Sequence, residues 1–311
     1  MTEPPADHVP LDVTDGYLAL RREVGAFRYD RDVLAVRGAD AVTFLQGQLA
    51  ADVAGLPEGG SAWSLLLQPQ GRLVAWVRVT RTGAPDLLPD VDGGSGDVVV
   101  DRLERFKLRV DATIERLDWG AVAVRGPAAV GIDTSGTGAE LALPVDWRGL
   151  PGVDLLGPGV RAPDGVPLTD PLAAHNVRIE QGWPAMGHEL DGDVIPAEVG
   201  QWFVDVSASF TKGCYTGQEL VARIDSRGGN VPRHLRGVVI GTNVLPPEGA
   251  RVVADGQERG TLTSVGESLD LRAPVALGFI HRSVEVPADV TVEWDGGATP
   301  ARGVDLPLLD G

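Results

Sequence analysis

Apolar positions along this chain alternate between two periods. Val42, Leu45, Leu49 and Val53 recur on one face, which predicts an amphipathic helix over about 40–53 with Asp40 as its N-cap. A strand over 33–37 precedes it. Two strands follow, 62–68 and 73–80, joined by a hairpin turn at Pro69-Gln70-Gly71-Arg72. Val100, Leu103 and Phe106 give the inner face of a second helix over 97–109. Further strands read at 113–117 and 119–124, and Gly126-Pro127 opens a short helix. Asp170-Pro171 is a cap followed by proline at the first helical position, so a helix runs to about Gln181 and stops at Gly182. Residues 1–30 read as a loose lead-in and 92–96 as a mobile Gly-rich loop. Residues 133–169 are too rich in Gly and Pro to yield more than short strands, and 187–193 and 196–200 read as acidic loops.

Beyond about residue 235 the period becomes two. Short runs at 235–242, 251–253, 260–265, 275–280 and 290–294 are separated by turns, with Asp255-Gly256 a hairpin signal. They predict a small all-β barrel of five or six strands. The fold class is therefore α+β. The expected division is a lead-in (1–30), an α+β lobe (31–125), a second α+β lobe (126–234) and a barrel domain (235–305).

Composition narrows the function. A net charge of −17 repels nucleic acid and anionic membranes, so an anionic ligand needs a local basic patch. No apolar run approaches the roughly 20 residues of a membrane span. The first ten residues are acidic and Pro-rich without a basic start, so the expected location is the cytoplasm. One cysteine permits no intrachain disulfide and no self-contained cysteine-ligated metal site. The five histidines show no paired ligand spacing, and no metal site is expected. Phosphate-loop, dinucleotide and nucleophile-elbow motifs are absent.

The scarce residue types converge on Thr211–Leu220, which reads TKGCYTGQEL. It holds the only cysteine, one of two lysines and one of three tyrosines. Gly213 and Gly217 let backbone approach a ligand closely. A short helix reads from Gln218 to Ile224, and Cys214 precedes its N-terminus. The helix end and Lys212 both favour thiolate, which makes Cys214 a candidate reactive thiol and Lys212 its tuner. The bland alternative is a small buried hydrophobe. From Lys212 to Arg236 the local balance is +3: Lys212, Arg223, Arg227, Arg233 and Arg236 against Glu219 and Asp225. Arginines of this kind grip carboxylate or phosphate, or form ordinary surface charge.

The segment KGCYTGQE, 212–219, resembles the signature of the YgfZ family, a folate-binding branch of the glycine-cleavage T-protein superfamily. The resemblance continues through Arg178–Glu189 (RIEQGWPAMGHE), Ile195–Glu198 (IPAE), Ala39–Gln48, Gln70–Arg72, Gly260–Ser264 and Ala276–Ile280, nearly the whole chain. It implies a three-lobed ring binding tetrahydrofolate, or a one-carbon derivative, near its centre. It also implies a role in assembly or repair of iron–sulfur enzymes and in tRNA modification, with iron–sulfur client proteins as partners; the net charge disfavours tRNA itself. On this analogy Glu198 holds the amino-pyrimidine ring, with Glu189 a second candidate and Arg178 a ligand or helix anchor. Tyr215, Gln218, Glu219, Arg223 and Arg227 complete the candidate cofactor-binding set.

One departure bears on chemistry. The superfamily's transferases place a catalytic aspartate in the strand after the Gly-containing hairpin, whereas Gly71–Val77 here reads GRLVAWV. Aminomethyl transfer thereby lacks its carboxylate, with Asp86 and Asp90 as distant substitutes, while folate binding is untouched. A one-carbon transferase is thus the alternative reading. A scaffold whose pocket is plugged by Trp76 or Trp202 is a third.

Overall fold

The computed structural model describes residues 10–83, 86–226 and 229–309. It is an α+β fold of three lobes. The first lobe carries a five-stranded antiparallel sheet built from β2 (Arg31–Arg37), β3 (Ser61–Leu67), β4 (Leu73–Arg81), β5 (Leu87–Asp92) and β6 (Thr113–Leu117), in the order β3-β4-β5-β2-β6. Helices α2 (Ala41–Gln48) and α3 (Gly96–Phe106) cover one face through Leu45, Val99 and Leu103. The second lobe has the order β1-β7-β9-β8, from β1 (Gly25–Arg28), β7 (Gly120–Arg125), β8 (Leu141–Trp147) and β9 (Leu150–Gly157). Six strands, β10 (Arg233–Ile240) to β15 (Gly297–Val304), close a C-terminal barrel. Among the described residues no helix is long and apolar enough to cross a membrane.

Several elements differ from the sequence reading. Residues 13–28 are not loose. Helix α1 (Val13–Arg22) is capped by Asp12 and buries Tyr17 and Leu20, and β1 pairs with β7, so residues 25–28 belong to the second sheet. Helix α2 stops at Gln48 because Leu49 turns extended and bridges Leu66. Residues 92–96 form a pinned turn: the Gly93 N–H donates to the Asp30 carbonyl (2.9 Å) and the Gly96 N–H to Asp32 (2.7 Å). The Gly- and Pro-rich stretch contains the β8–β9 hairpin, turned at Arg148 and Gly149, both at positive φ. The acidic loop at 196–200 holds a one-turn helix, α5 (Pro196–Val199). It is followed by α6 (Gln201–Ser207) and α7 (Gln218–Ser226). The helix predicted at 170 forms as α4 (Pro171–Gln181), capped by Asp170 and ended by Gly182 in the left-handed region.

The two sheets are joined by charge rather than by apolar packing alone. Arg78 on β4 grips Asp90 (3.0 and 3.1 Å) and reaches across to Asp154 on β9 (2.7 Å). Arg125 on β7 takes the other Asp154 oxygen (2.6 Å). Arg31 completes the ladder through Asp90 and Asp92. Arg78, Arg125, Asp90 and Asp154 are all at least 97% buried. Burial opposes a charge on Asp154, but Arg125 and Arg78 outweigh it and hold the carboxyl far below the usual carboxylate range.

Removing one member leaves a buried charge uncompensated, so Asp154→Asn should cost about 3–5 kcal/mol at pH 7, read as a lower urea midpoint. Because the folded-state ionisation is depressed, this contribution is present above roughly pH 4 and fades as pH falls below it. The gap between wild type and variant should therefore narrow in acid; equal midpoints at pH 7 would refute the ladder's role.

Candidate functional site

A cavity of about 470 Å³ opens where the two sheets meet α4. Its aromatic side is Trp63 from β3, Trp147 from β8 and Trp183 just past α4. Trp147 and Trp183 stack with centroids 6.1 Å apart, and Trp63 meets Trp183 edge-on at 5.8 Å. Behind this wall Trp76 stacks on Trp63 at 4.1 Å and donates its indole N–H to Ser207 (2.8 Å). Neither Trp76 nor Trp202 lines the cavity. They back it rather than plug it.

The polar side comes from the charge ladder. Asp92, Asp154, Arg31 and Arg125 all line the cavity. Asp92 also accepts the Met186 N–H at 3.0 Å, which ties the end of β5 to the segment after α4. The Tyr29 hydroxyl is buried without a hydrogen-bond partner. Burial and the Asp154 charge push its ionisation up, so it remains a phenol. Carboxylates that accept, guanidinium groups that donate and a tryptophan wall suit a flat heteroaromatic ligand with N–H and carbonyl edges. The volume lies within the roughly 300–1,000 Å³ usual for small-molecule sites.

Of the residues singled out in the sequence, Arg178 lines this cavity. It donates to the Trp183 carbonyl (2.8 Å), Ser264 (2.7 Å) and Glu189 (2.7 Å). Glu189 lies behind it, fully buried. Burial alone would raise its pKa, but Arg178 and the hydroxyls of Ser264 and Thr263 hold it below the usual value. Glu198 is elsewhere: it caps the Ile195 N–H (3.1 Å) and pairs with Arg233 (3.2 Å), and it does not line the cavity.

The 212–219 segment serves first as a clamp. The Lys212 ammonium donates to the carbonyls of Gln46 and Leu49 (both 2.6 Å) and Ala51 (2.8 Å), at the C-terminal end of α2. All three of its donors are used, so none remains for the neighbouring thiol. Burial pushes its pKa down to about 8. Gly217 sits at φ +84, and a Cβ there would lie 2.6 Å from the Gln68 carbonyl oxygen. Gly71, at φ +81, faces Leu220 as closely. These two glycines let the loop and the β3–β4 hairpin interlock, whereas a Cβ at Gly213 would meet nothing within 4 Å.

The other motif residues follow the same pattern. Tyr215 is buried, and the Gln218 side chain accepts its backbone N–H at 3.2 Å. Glu219 and Arg223 pair on the outer face of α7. Arg227 lies outside the described residues. Cys214 is exposed, not sealed, but it does not line the cavity.

Sequence reasoning missed Trp63, Trp147, Asp92 and Asp154 as cavity residues. One signal was available, because an aspartate inside an apolar strand such as β9 (LPGVDLLG) demands a partner. Which arginine supplies it depends on sheet pairing. Asp86 is at the surface near Arg37, and Asp90 is spent on Arg31 and Arg78, so neither of these alternative carboxylates faces the cavity. Among the described residues no group of three or more His, Cys, Asp or Glu is assembled to hold a metal.

Residues 233–310 match the glycine cleavage T-protein C-terminal barrel domain. The chain is similar to an aminomethyltransferase of Streptomyces avermitilis, with 27% identity over 94% of this chain and 88% of that enzyme. A Thermus thermophilus aminomethyltransferase is also 27% identical, over 97% and 92%. An uncharacterised Haemophilus influenzae protein is 26% identical over 64% of this chain and 67% of its own. The crystal structure of the glycine cleavage system aminomethyltransferase T from Bartonella henselae superposes with a TM-score of 0.81, covering 96% of this chain and 90% of that one at 20% identity. The three-lobed fold is shared with that enzyme.

Lys212→Met separates cap from tuner. As a cap, its loss should destabilise the protein by about 1–3 kcal/mol through unpaired carbonyls, read by chemical denaturation, while Cys214 reacts with a thiol reagent no more slowly than before. A sharp fall in thiol reactivity with unchanged stability would instead assign Lys212 the tuning role.

Proposed function

We propose that this chain, built on the aminomethyltransferase fold, binds tetrahydrofolate or a one-carbon derivative in the cavity between its sheets and works as an accessory protein. The observation that carries this reading is the cavity itself: about 470 Å³, with tryptophan on one side and paired Asp and Arg on the other. The residues present fit a reduced folate. Trp63 and Trp183 would cover the pterin ring, and Asp92 and Asp154 would accept from its N–H edge. Arg31 and Arg125 would donate to its carbonyl, and Arg178 lies on the same lining. When bound, the folate supplies nitrogens that carry one-carbon units. The chain's own part is to exclude water, orient the ring and keep Asp154 ionised.

Transfer chemistry is the weaker reading. Relatives named aminomethyltransferase favour it. Against it, β4 carries no carboxylate, and two of the three lining aspartates, Asp92 and Asp154, are already held by arginine. Asp154, held far below the usual carboxylate range by Arg125 and Arg78, is a poor proton carrier. The support for an iron–sulfur accessory role is the KGCYTGQE resemblance together with the exposure of Cys214, the only thiol. In that role Cys214 meets the client protein while folate sits in the cavity.

Tetrahydrofolate should therefore raise the melting temperature, with a stabilisation of about 2.7 kcal/mol at 100 times its dissociation constant, and should quench tryptophan fluorescence. Cys214→Ala should leave that binding intact and abolish the support of iron–sulfur enzymes in cells. No shift at near-millimolar folate would end the reading. Turnover of an aminomethyl donor would favour the transferase instead.

A further inference from the structure

Among the described residues the barrel contributes no side chain to the cavity, yet one wall of the cavity hangs on it. Glu189 is 0% exposed, and both its oxygens are occupied. Oε1 accepts from Thr263 (2.9 Å) and Ser264 (2.5 Å) on barrel strand β12 (Gln257–Ser268). Oε2 accepts from Arg178 (2.7 Å) and the Ala185 N–H (3.1 Å). Arg178 closes the ring by donating to Ser264 and to the Trp183 carbonyl. A carboxylate with four donors has no acceptor site left for a ligand. Its bonds run instead from the barrel to the chain segment that carries Trp183.

We infer that Glu189 is a positioning residue through which the C-terminal barrel sets the aromatic wall of the cavity. The inference rests on the folate reading for its ligand. The physical ground is the cost of leaving any member unpaired: Arg178 and Glu189 are both buried, so each must keep its partners. Trp183 is then held where the barrel hydroxyls place it. A change in the barrel reaches the cavity by this route, with no barrel residue touching the ligand.

The test uses the barrel side of the ring. Thr263→Val removes the hydroxyl in a side chain of the same shape, and Thr263→Ser keeps it. Two readouts are taken on the full chain: tetrahydrofolate affinity by calorimetry, and access of acrylamide to tryptophan fluorescence in the ligand-free protein. Thr263→Val should weaken binding roughly tenfold and increase quenching, while Thr263→Ser keeps wild-type values in both. Glu189→Gln should cost more; if it does not fold, the hydroxyl pair decides alone. Wild-type affinity and quenching in Thr263→Val would overturn the inference. If wild-type protein binds no tetrahydrofolate, the functional reading falls, and quenching still decides whether Glu189 positions the wall.

Discussion

The buried ladder Asp92–Arg31–Asp90–Arg78–Asp154–Arg125 is the constraint on which the other features depend. Three guanidinium groups and two carboxylates, Asp90 and Asp154, are withdrawn from water between two sheets, with Asp92 partly exposed at the end, and desolvation forbids any buried member to stand alone. Each arginine spans two partners or two strands, so the ladder fixes where the second sheet lies relative to the first. The ladder ends in the cavity, where Arg31, Asp92, Arg125 and Asp154 form much of its polar side.

That origin explains the character of the site. The ladder's three positive and three negative charges balance before any ligand arrives, so it offers directed donors and acceptors. A neutral ring with alternating N–H and carbonyl groups can replace water there at little electrostatic cost. An anionic head group would have to compete with carboxylates already in place. The aromatic wall completes the selection for flatness. Trp76, on the strand where a transferase carboxylate is expected, lies behind that wall, so this position adds packing rather than proton chemistry.

The two halves of the KGCYTGQE motif face different tasks. Lys212 and Gly217 hold the loop against α2 and the β3–β4 hairpin, and Gln218 closes the loop on itself through the Tyr215 N–H. Cys214, between them, is left exposed. A loop so firmly anchored presents a thiol at a defined place on the surface, which suits contact with another protein better than contact with a ligand in the cavity. The clustering of scarce residues in the sequence was therefore a true signal of constraint. Part of that constraint is structural.

Much of the fold was legible in the chain. The helix opened by Asp170-Pro171 and closed by Gly182, the Asp255-Gly256 hairpin and the β-type tail follow from local rules, because caps, turns and period-two runs act over a few residues. Elements that need distant partners were not legible. Strand β5 carries Asp90 and Asp92 and looks like loop until Arg31 and Arg78 arrive from other strands. Residues 13–28 look like a lead-in until β7 pairs with β1. The sequence by itself determined the α+β class and the barrel, since each is written in short-range pattern and turn chemistry, whereas the anchoring of the 212–219 loop on α2 was decided by tertiary contact. Only the tertiary structure decided which charges meet, which tryptophans line the cavity and that Cys214 stands outside it, because those outcomes depend on contacts between residues scores of positions apart.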